Sequence, residues 1–162
     1  MELLILTNIP NDLLESSRTD FAAYYRELYK SYPPEEFELT SIDYLDQWIQ
    51  SEFDLFSKYQ MIIAKVNDQI VGYCLFTTDQ SYTYILQFWP AQDCIIHQVE
   101  MTVELMKLLT KPLRGVIRKS NQKGITFYKN FGGFILDNFD NFPKEIYSHY
   151  SKDIYIALQV DA

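Results

Sequence analysis

Glycine is scarce in this chain: five in 162 residues, with none between Gly72 and Gly115. No G-x-x-x-x-G-K-[ST] loop, G-x-S-x-G elbow or H-E-x-x-H helix occurs, so nucleotide hydrolysis, hydrolase triads and zinc peptidase chemistry lose their usual markers. Cysteine is limited to Cys74 and Cys94, in a strand and a helix by pattern, with no C-x-x-C. Both are expected as reduced thiols, outside any disulfide or metal site. The histidines, His97 and His149, have no serine, cysteine or carboxylate at matching spacing, and His97 reads as a surface or boundary residue. The longest apolar run, residues 70–76, falls far short of the ~18 residues that span a bilayer. The first residues carry no basic region ahead of an apolar stretch, so the expectation is a cytoplasmic protein without a membrane partner.

Against these scarcities stand 48% hydrophobic and 22% charged residues, the make-up of a folded chain. The length suits a single domain over residues 1–162 with a substantial core. Charge is unevenly placed. Residues 1–60 hold 12 acids and 4 bases, while residues 61–162 hold 10 of each. Lys107, Lys111, Arg114, Arg118, Lys119, Lys123 and Lys129 fall in a window, 105–136, that contains no acid. Such a field suits a phosphate-bearing ligand, and the acidic part suits a cationic co-substrate. A net charge of −8 argues against nucleic acid. A nucleic-acid-associated or toxin-neutralising role for the basic strip is the unrelated alternative.

Periodicity predicts a strand over 2–7, then one helix over 11–29, or two broken near Ser16-Ser17, stopped by Ser31-Tyr32-Pro33-Pro34. A second helix carries Ile42, Leu45, Trp48, Ile49, Phe53 and Phe56, capped by Thr40 or Ser41. Strands over 61–66 and 69–77, split by Asn67-Asp68, read as an antiparallel hairpin. Asp79-Gln80-Ser81 turns into a third strand, 82–89, ended by Pro90. Asp93 is the expected N-cap of a helix whose stripe is Ile95, Ile96, Val99, Val103, Met106 and Leu109, closed by Pro112. A strand over 113–118 follows, then a helix capped by Ser120 or Asn121 and stopped by Gly132-Gly133. Strands over 134–136 and 154–160, joined by a loop through 138–150, complete the order βααβββαβαββ. This is the α+β (mixed α/β) class: a largely antiparallel mixed sheet of six or seven strands with helices on both faces. The late strands offer edges for a homodimer.

The segment from Val116 to Phe134 combines a strand, Asn121, Gly124 three residues on, Phe127-Tyr128, and Gly133-Phe134. It resembles the C-terminal motif of the Gcn5-related N-acetyltransferase (GNAT) superfamily. The element order, Val71-Gly72-Tyr73 in the hairpin and Tyr155-Ile156-Ala157-Leu158 in the last strand are similar to that family too. The resemblance implies an N-acetyltransferase that moves an acetyl group from acetyl-CoA to a primary amine of a small molecule or protein, without a metal. It implies two strands splaying apart, with pantetheine pairing along Leu86, Gln87, Phe88 and Trp89. Asn121 would bond pantetheine, Lys123 and Phe127 would lie along the cofactor, and Tyr128 would protonate the departing thiolate. A main-chain N–H near Phe88 or Trp89 would steady the oxyanion.

The family's R/Q-x-x-G-x-G/A turn corresponds here to Pro90-Ala91-Gln92-Asp93-Cys94-Ile95-Ile96-His97. Gln92 matches the first position, Ile95 and His97 stand where glycines would, and the amides of Ile95, Ile96 and His97 are the expected diphosphate contacts. A catalytically silent binding module of the same fold is the alternative reading. For the general base the sequence offers Asp79, a carboxylate of the acidic helices, or water. Tyr82, Tyr84, Phe88 and Trp89 are the expected lining of an acceptor pocket.

Overall fold

The computed structural model describes residues 1–30, 42–108, 110–148 and 150–161. The expected helix stop at residues 31–34, the caps Thr40 and Ser41, and the positions Leu109 and His149 lie outside them. The elements are β1 (Glu2–Leu6), α1 (Asn11–Lys30), α2 (Ile42–Phe56), β2 (Gln60–Val66), β3 (Gln69–Thr78), β4 (Thr83–Pro90), α3 (Gln98–Leu108), β5 (Leu113–Arg118), α4 (Gln122–Asn130), β6 (Phe134–Leu136), α5 (Lys144–Tyr147) and β7 (Tyr155–Val160). The sheet has seven strands in the order β1-β2-β3-β4-β5-β7-β6, antiparallel at β1-β2, β2-β3, β5-β7 and β6-β7 and parallel at β4-β5. The α+β class is as expected from the sequence. The chain forms two compact units, one of Met1–Thr77 with Gln87–Leu108, the other of Thr78–Leu86 with Leu109–Ala162.

In the first unit, β2 and β3 form the expected hairpin. Asn67 (φ 51°) and Asp68 (φ 64°) are both left-handed, the conformation whose twist matches that of a two-residue hairpin loop. Neighbouring residues of β3 point to opposite faces. Tyr73 donates its hydroxyl to Asp20 Oδ2 of α1 (2.6 Å), whereas a Cβ at Gly72 would run into the Met101 sulfur of α3. Helices therefore cover both faces here, and this explains why β2 and β3 read as nearly continuous apolar runs. Phe21, Ile49, Phe56, Met61, Leu75 and Trp89 are all but fully buried. The Phe21 ring meets Phe56 and Trp89 edge-on, each at 5.2 Å. α1 is one unbroken helix, because the Ser17 hydroxyl satisfies itself on the Leu14 carbonyl (2.8 Å) and does not compete with the helix ladder.

The expected stripe on the third helix is corrected. Ile95, Ile96 and Val99 are 64%, 81% and 59% exposed, and the buried face is Met101, Thr102 and Leu105. Ile95–His97 forms a 3₁₀ turn ahead of α3, and its three-residue period shifts the helical phase. Asp93 is not an N-cap. It has φ 62°, and the cap of the 3₁₀ turn is Cys94, which therefore lies outside the helix.

In the second unit β7 lies between β5 and β6, in register from Leu113↔Val160 to Arg118↔Tyr155 and from Phe134↔Gln159 to Leu136↔Ala157. The loop joining β6 to β7 holds the short α5, which the sequence reading omits. Its Ile146 and Tyr147 are buried, and Tyr147 packs with Tyr84 and Phe142.

Candidate functional site

The segment that carries the motif is built from local rules. Asn121 caps α4, its Oδ1 accepting the Gly124 N–H (3.0 Å). A Cβ at Gly124 would sit 2.7 Å from Ile117 Cδ1 and 2.8 Å from Asn121 Nδ2, so the missing side chain lets the cap fold onto the strand. Tyr128 follows Asn121 by seven residues, two helical turns, and shares its face. Tyr128 is half-buried, with its ring against Phe127 (5.6 Å), itself half-buried and 5.0 Å from Phe131. Lys123 is exposed. The helix ends on the left-handed Gly132 (φ 82°), and Gly133 N–H returns to the Tyr128 carbonyl (2.9 Å). A Cβ at Gly133 would lie 2.6 Å from that same carbonyl oxygen.

Also in the second unit, β4 and β5 pair at Thr83↔Leu113 and Tyr84↔Arg114. Among the described residues of this unit no further pair joins them, although Ile85 and Leu86 continue β4 and β5 runs to Arg118. The Ile85 carbonyl instead accepts the Tyr147 hydroxyl (2.8 Å). A side chain thus occupies an acceptor that a parallel ladder would give to a strand amide. Leu86 is buried.

The rest of β4 belongs to the first unit. Gln87 is buried: its Nε2 donates to Glu52 Oε2 (3.2 Å), and its Oε1 accepts the Tyr25 hydroxyl. Trp89 is fully buried, stacked on Tyr73 at 5.3 Å and donating Nε1–H to the Ser17 carbonyl (3.2 Å), while Phe88 is half-buried. The Trp89 ring, and in the second unit the Tyr84 ring, are core and not the expected pocket lining. Beyond β4, Ala91 N–H bonds Val71 and Gln92 N–H bonds Asp20 Oδ1 (3.3 Å). Ile95 and Ile96 are exposed, and His97 lies 3.9 Å from Glu100.

The basic window is less bare in space than in sequence. Lys107 pairs with Glu104 (3.0 Å), which lies just outside the window, and Lys111 donates to the Asp79 carbonyl. Arg114 lies 3.5 Å over the Tyr82 ring and donates to Gln159 (2.8 Å), and Arg118 is buried near Tyr155. Lys119, Lys123 and Lys129 are exposed, as is the Glu104-paired Lys107. Asp79 is a poor base: the N–H groups of Ser81 and Tyr82 hold its carboxyl below the usual range. Glu52, which the sequence reading did not single out, has the opposite character, since burial pushes its carboxyl up to about 7 despite the Gln87 hydrogen bond. Among the described residues no cluster of three His, Cys, Asp or Glu could hold a metal, and no helix is long and apolar enough to cross a membrane.

No family model and no curated protein matches the sequence. Solved structures do match. PaiA N-acetyltransferase of Thermoplasma acidophilum, in complex with coenzyme A, aligns at TM-score 0.66 and 12% identity over 100% of both chains. Campylobacter jejuni N-acetyltransferase PseH, in complex with acetyl coenzyme A, aligns at TM-score 0.58 and 12% identity over 99% of this chain and 97% of its own. A Bacteroides thetaiotaomicron protein assigned to the GNAT family aligns at TM-score 0.55 and 15% identity over 100% of this chain and 88% of its own. This chain has the fold of the GNAT N-acetyltransferases.

Proposed function

We propose that the chain is an acetyl-CoA-dependent N-acetyltransferase acting on a primary amine of a small molecule or protein. The observation that carries this reading is the end of β4-β5 pairing at Tyr84↔Arg114, on a fold shared with acetyltransferases crystallised with coenzyme A and acetyl coenzyme A. Strands that stop pairing while both continue leave main-chain groups to bond an extended ligand, as in strand addition. In this reading the pantetheine amides pair along Leu86, Gln87, Phe88 and Trp89. Asn121 uses its amide nitrogen, since Oδ1 caps α4. Phe127 lies along the arm, and Lys123 with the exposed Lys119 and Lys129 supplies charge for the phosphates.

The chemistry is acyl transfer. A neutral amine attacks the thioester carbonyl, and a main-chain N–H at Phe88 or Trp89 donates to the oxyanion. Tyr128 then protonates the thiolate. A thiol's reference pKa of about 8.5 lies below tyrosine's ~10, so this transfer depends on placement more than on acidity. Isothermal calorimetry with acetyl-CoA tests the proposal: micromolar binding is expected, and no heat at millimolar ligand overturns it.

A second reading, a silent binding module, draws on one feature. The turn before α3 has exposed Ile95 and Ile96 and a left-handed Asp93 in a stretch where the family pattern places glycines. A carboxylate there repels a diphosphate. Acetyl-CoA binding without turnover of any primary amine would favour that module.

A further inference from the structure

A carboxylate is buried in the first unit. Glu52 of α2 is 4% exposed, and the side-chain amide of Gln87 joins it to the Tyr25 hydroxyl of α1. Trp48, one turn before Glu52, lies 5.2 Å from the Tyr25 ring and 5.7 Å from that of Tyr29. Tyr25 and Trp48 are half-buried, so the cluster reaches the surface on their side. Holding a charge in this position is costly, because it is removed from water. Ring faces attract ammonium groups, and the acids concentrated in residues 1–60 favour the approach of a cation.

We infer that Glu52, fixed by Gln87, is the base of the acetyl transfer: it takes a proton from a primary ammonium group that enters over Trp48 and Tyr25 on an apolar or aromatic stem. This rests on the acetyltransferase reading above. One ammonium proton passes to a Glu52 carboxylate oxygen and on to solvent. The freed lone pair forms the C–N bond, the C–S bond breaks with its electron pair going to sulfur, and the nitrogen's second proton balances the one that sulfur takes up.

Among the charged and titratable groups of α1, α2 and β3 are Arg18, Asp20 and Tyr25 of α1, Asp54 of α2 and Tyr73 of β3, and α1 and α2 are further joined by the Arg26–Asp46 ion pair (2.9 Å). Asp20 is bonded to Tyr73 and to the Gln92 N–H, and Arg18 to the Phe53 carbonyl, while Tyr25 shares Gln87 with Glu52. With the carboxyl pushed up to about 7, the ionised base forms as pH rises through that value.

The test measures kcat/KM for 2-phenylethylamine with acetyl-CoA from pH 5.5 to 8.5, in wild type, E52Q and E52D, beside acetyl-CoA calorimetry on each. Circular dichroism and thermal melting establish that the variants fold. The expected result is a wild-type rate that rises through about pH 7, a loss of about 100-fold or more in E52Q with that rise gone, and a retained rise in E52D. Unchanged acetyl-CoA binding by E52Q is also expected. Acetylation by E52Q within threefold of wild type, or with the same pH rise, overturns the role of Glu52 and leaves acetyl transfer standing. Acetyl-CoA binding without acetylation of 2-phenylethylamine overturns the acceptor assignment. No acetyl-CoA binding by wild type overturns the acetyltransferase reading first, and this inference with it.

Discussion

Tyr128 and Gly133 are linked through one carbonyl, because the helix end that places the phenol closes on the Gly133 N–H. Gly133→Ala puts a methyl 2.6 Å from the Tyr128 carbonyl oxygen, a backbone atom that cannot swing aside. The expected cost is about 1–3 kcal/mol, read as a fall in thermal midpoint of about 2–4 °C per kcal/mol. Tyr128→Phe separates fold from chemistry. Its expected outcome is an unchanged midpoint and unchanged acetyl-CoA affinity with kcat reduced by about 10²-fold or more, measured by thiol release. An unchanged kcat would remove Tyr128 from the mechanism. These residues were legible in the sequence because their constraints are local: a cap bonds three residues on, and a helix ends on glycine. Glu52 was not. On α2 it looks like any acid of a solvated helix, and the partner that marks it, Gln87, is 35 residues away.

Hairpins and strands were the most legible elements, and the third helix the least. Asn67-Asp68 predicted its turn because few residue pairs tolerate two consecutive left-handed conformations. Asp68→Gly keeps that geometry without the Cβ penalty, so it is expected to stabilise the protein by about 0.5–1 kcal/mol, visible as a higher midpoint in urea. A lower midpoint would mean that the aspartate side chain supports the turn in its own right. The α3 stripe failed for a reason of phase. Apolar residues on either side of a 3₁₀ turn do not share a face even when their spacing suits one helix, so Ile95 and Ile96 fall off the stripe, and within α3 the buried face is Met101, Thr102 and Leu105, with Val99 on the exposed side. The short α5 escaped because four residues carry too little periodicity to register, and its hold on the fold is the long-range packing of Tyr147.

At the scale of the whole molecule, the fold class and sheet content followed from element order, while the pH response follows from buried groups. Glu52 binds its proton more tightly in the folded chain, with a pKa of about 7, than in the unfolded chain, near 4.5. Its protonated form therefore favours folding fully below about pH 4.5, and that contribution is lost as pH rises to about 7. Asp79 acts in the opposite sense, its contribution being lost as pH falls through its depressed pKa, but its surface position keeps the effect small. Glu52→Gln mimics the protonated state. It is expected to melt higher than wild type at pH 8 and to show a flatter melting profile between pH 5 and 7, and equal profiles would mean that the carboxyl is solvated. The two tryptophans bring a different consequence. Trp48 and Trp89 both lie in the first unit, one half-buried against the Tyr25 and Tyr29 rings and the other sealed against Tyr73. Indole fluorescence is thus a private reporter of that unit, blind to the motif helix and the last strands. Emission and far-ultraviolet ellipticity, followed together during denaturation, distinguish a chain that melts in one step from one whose halves part company.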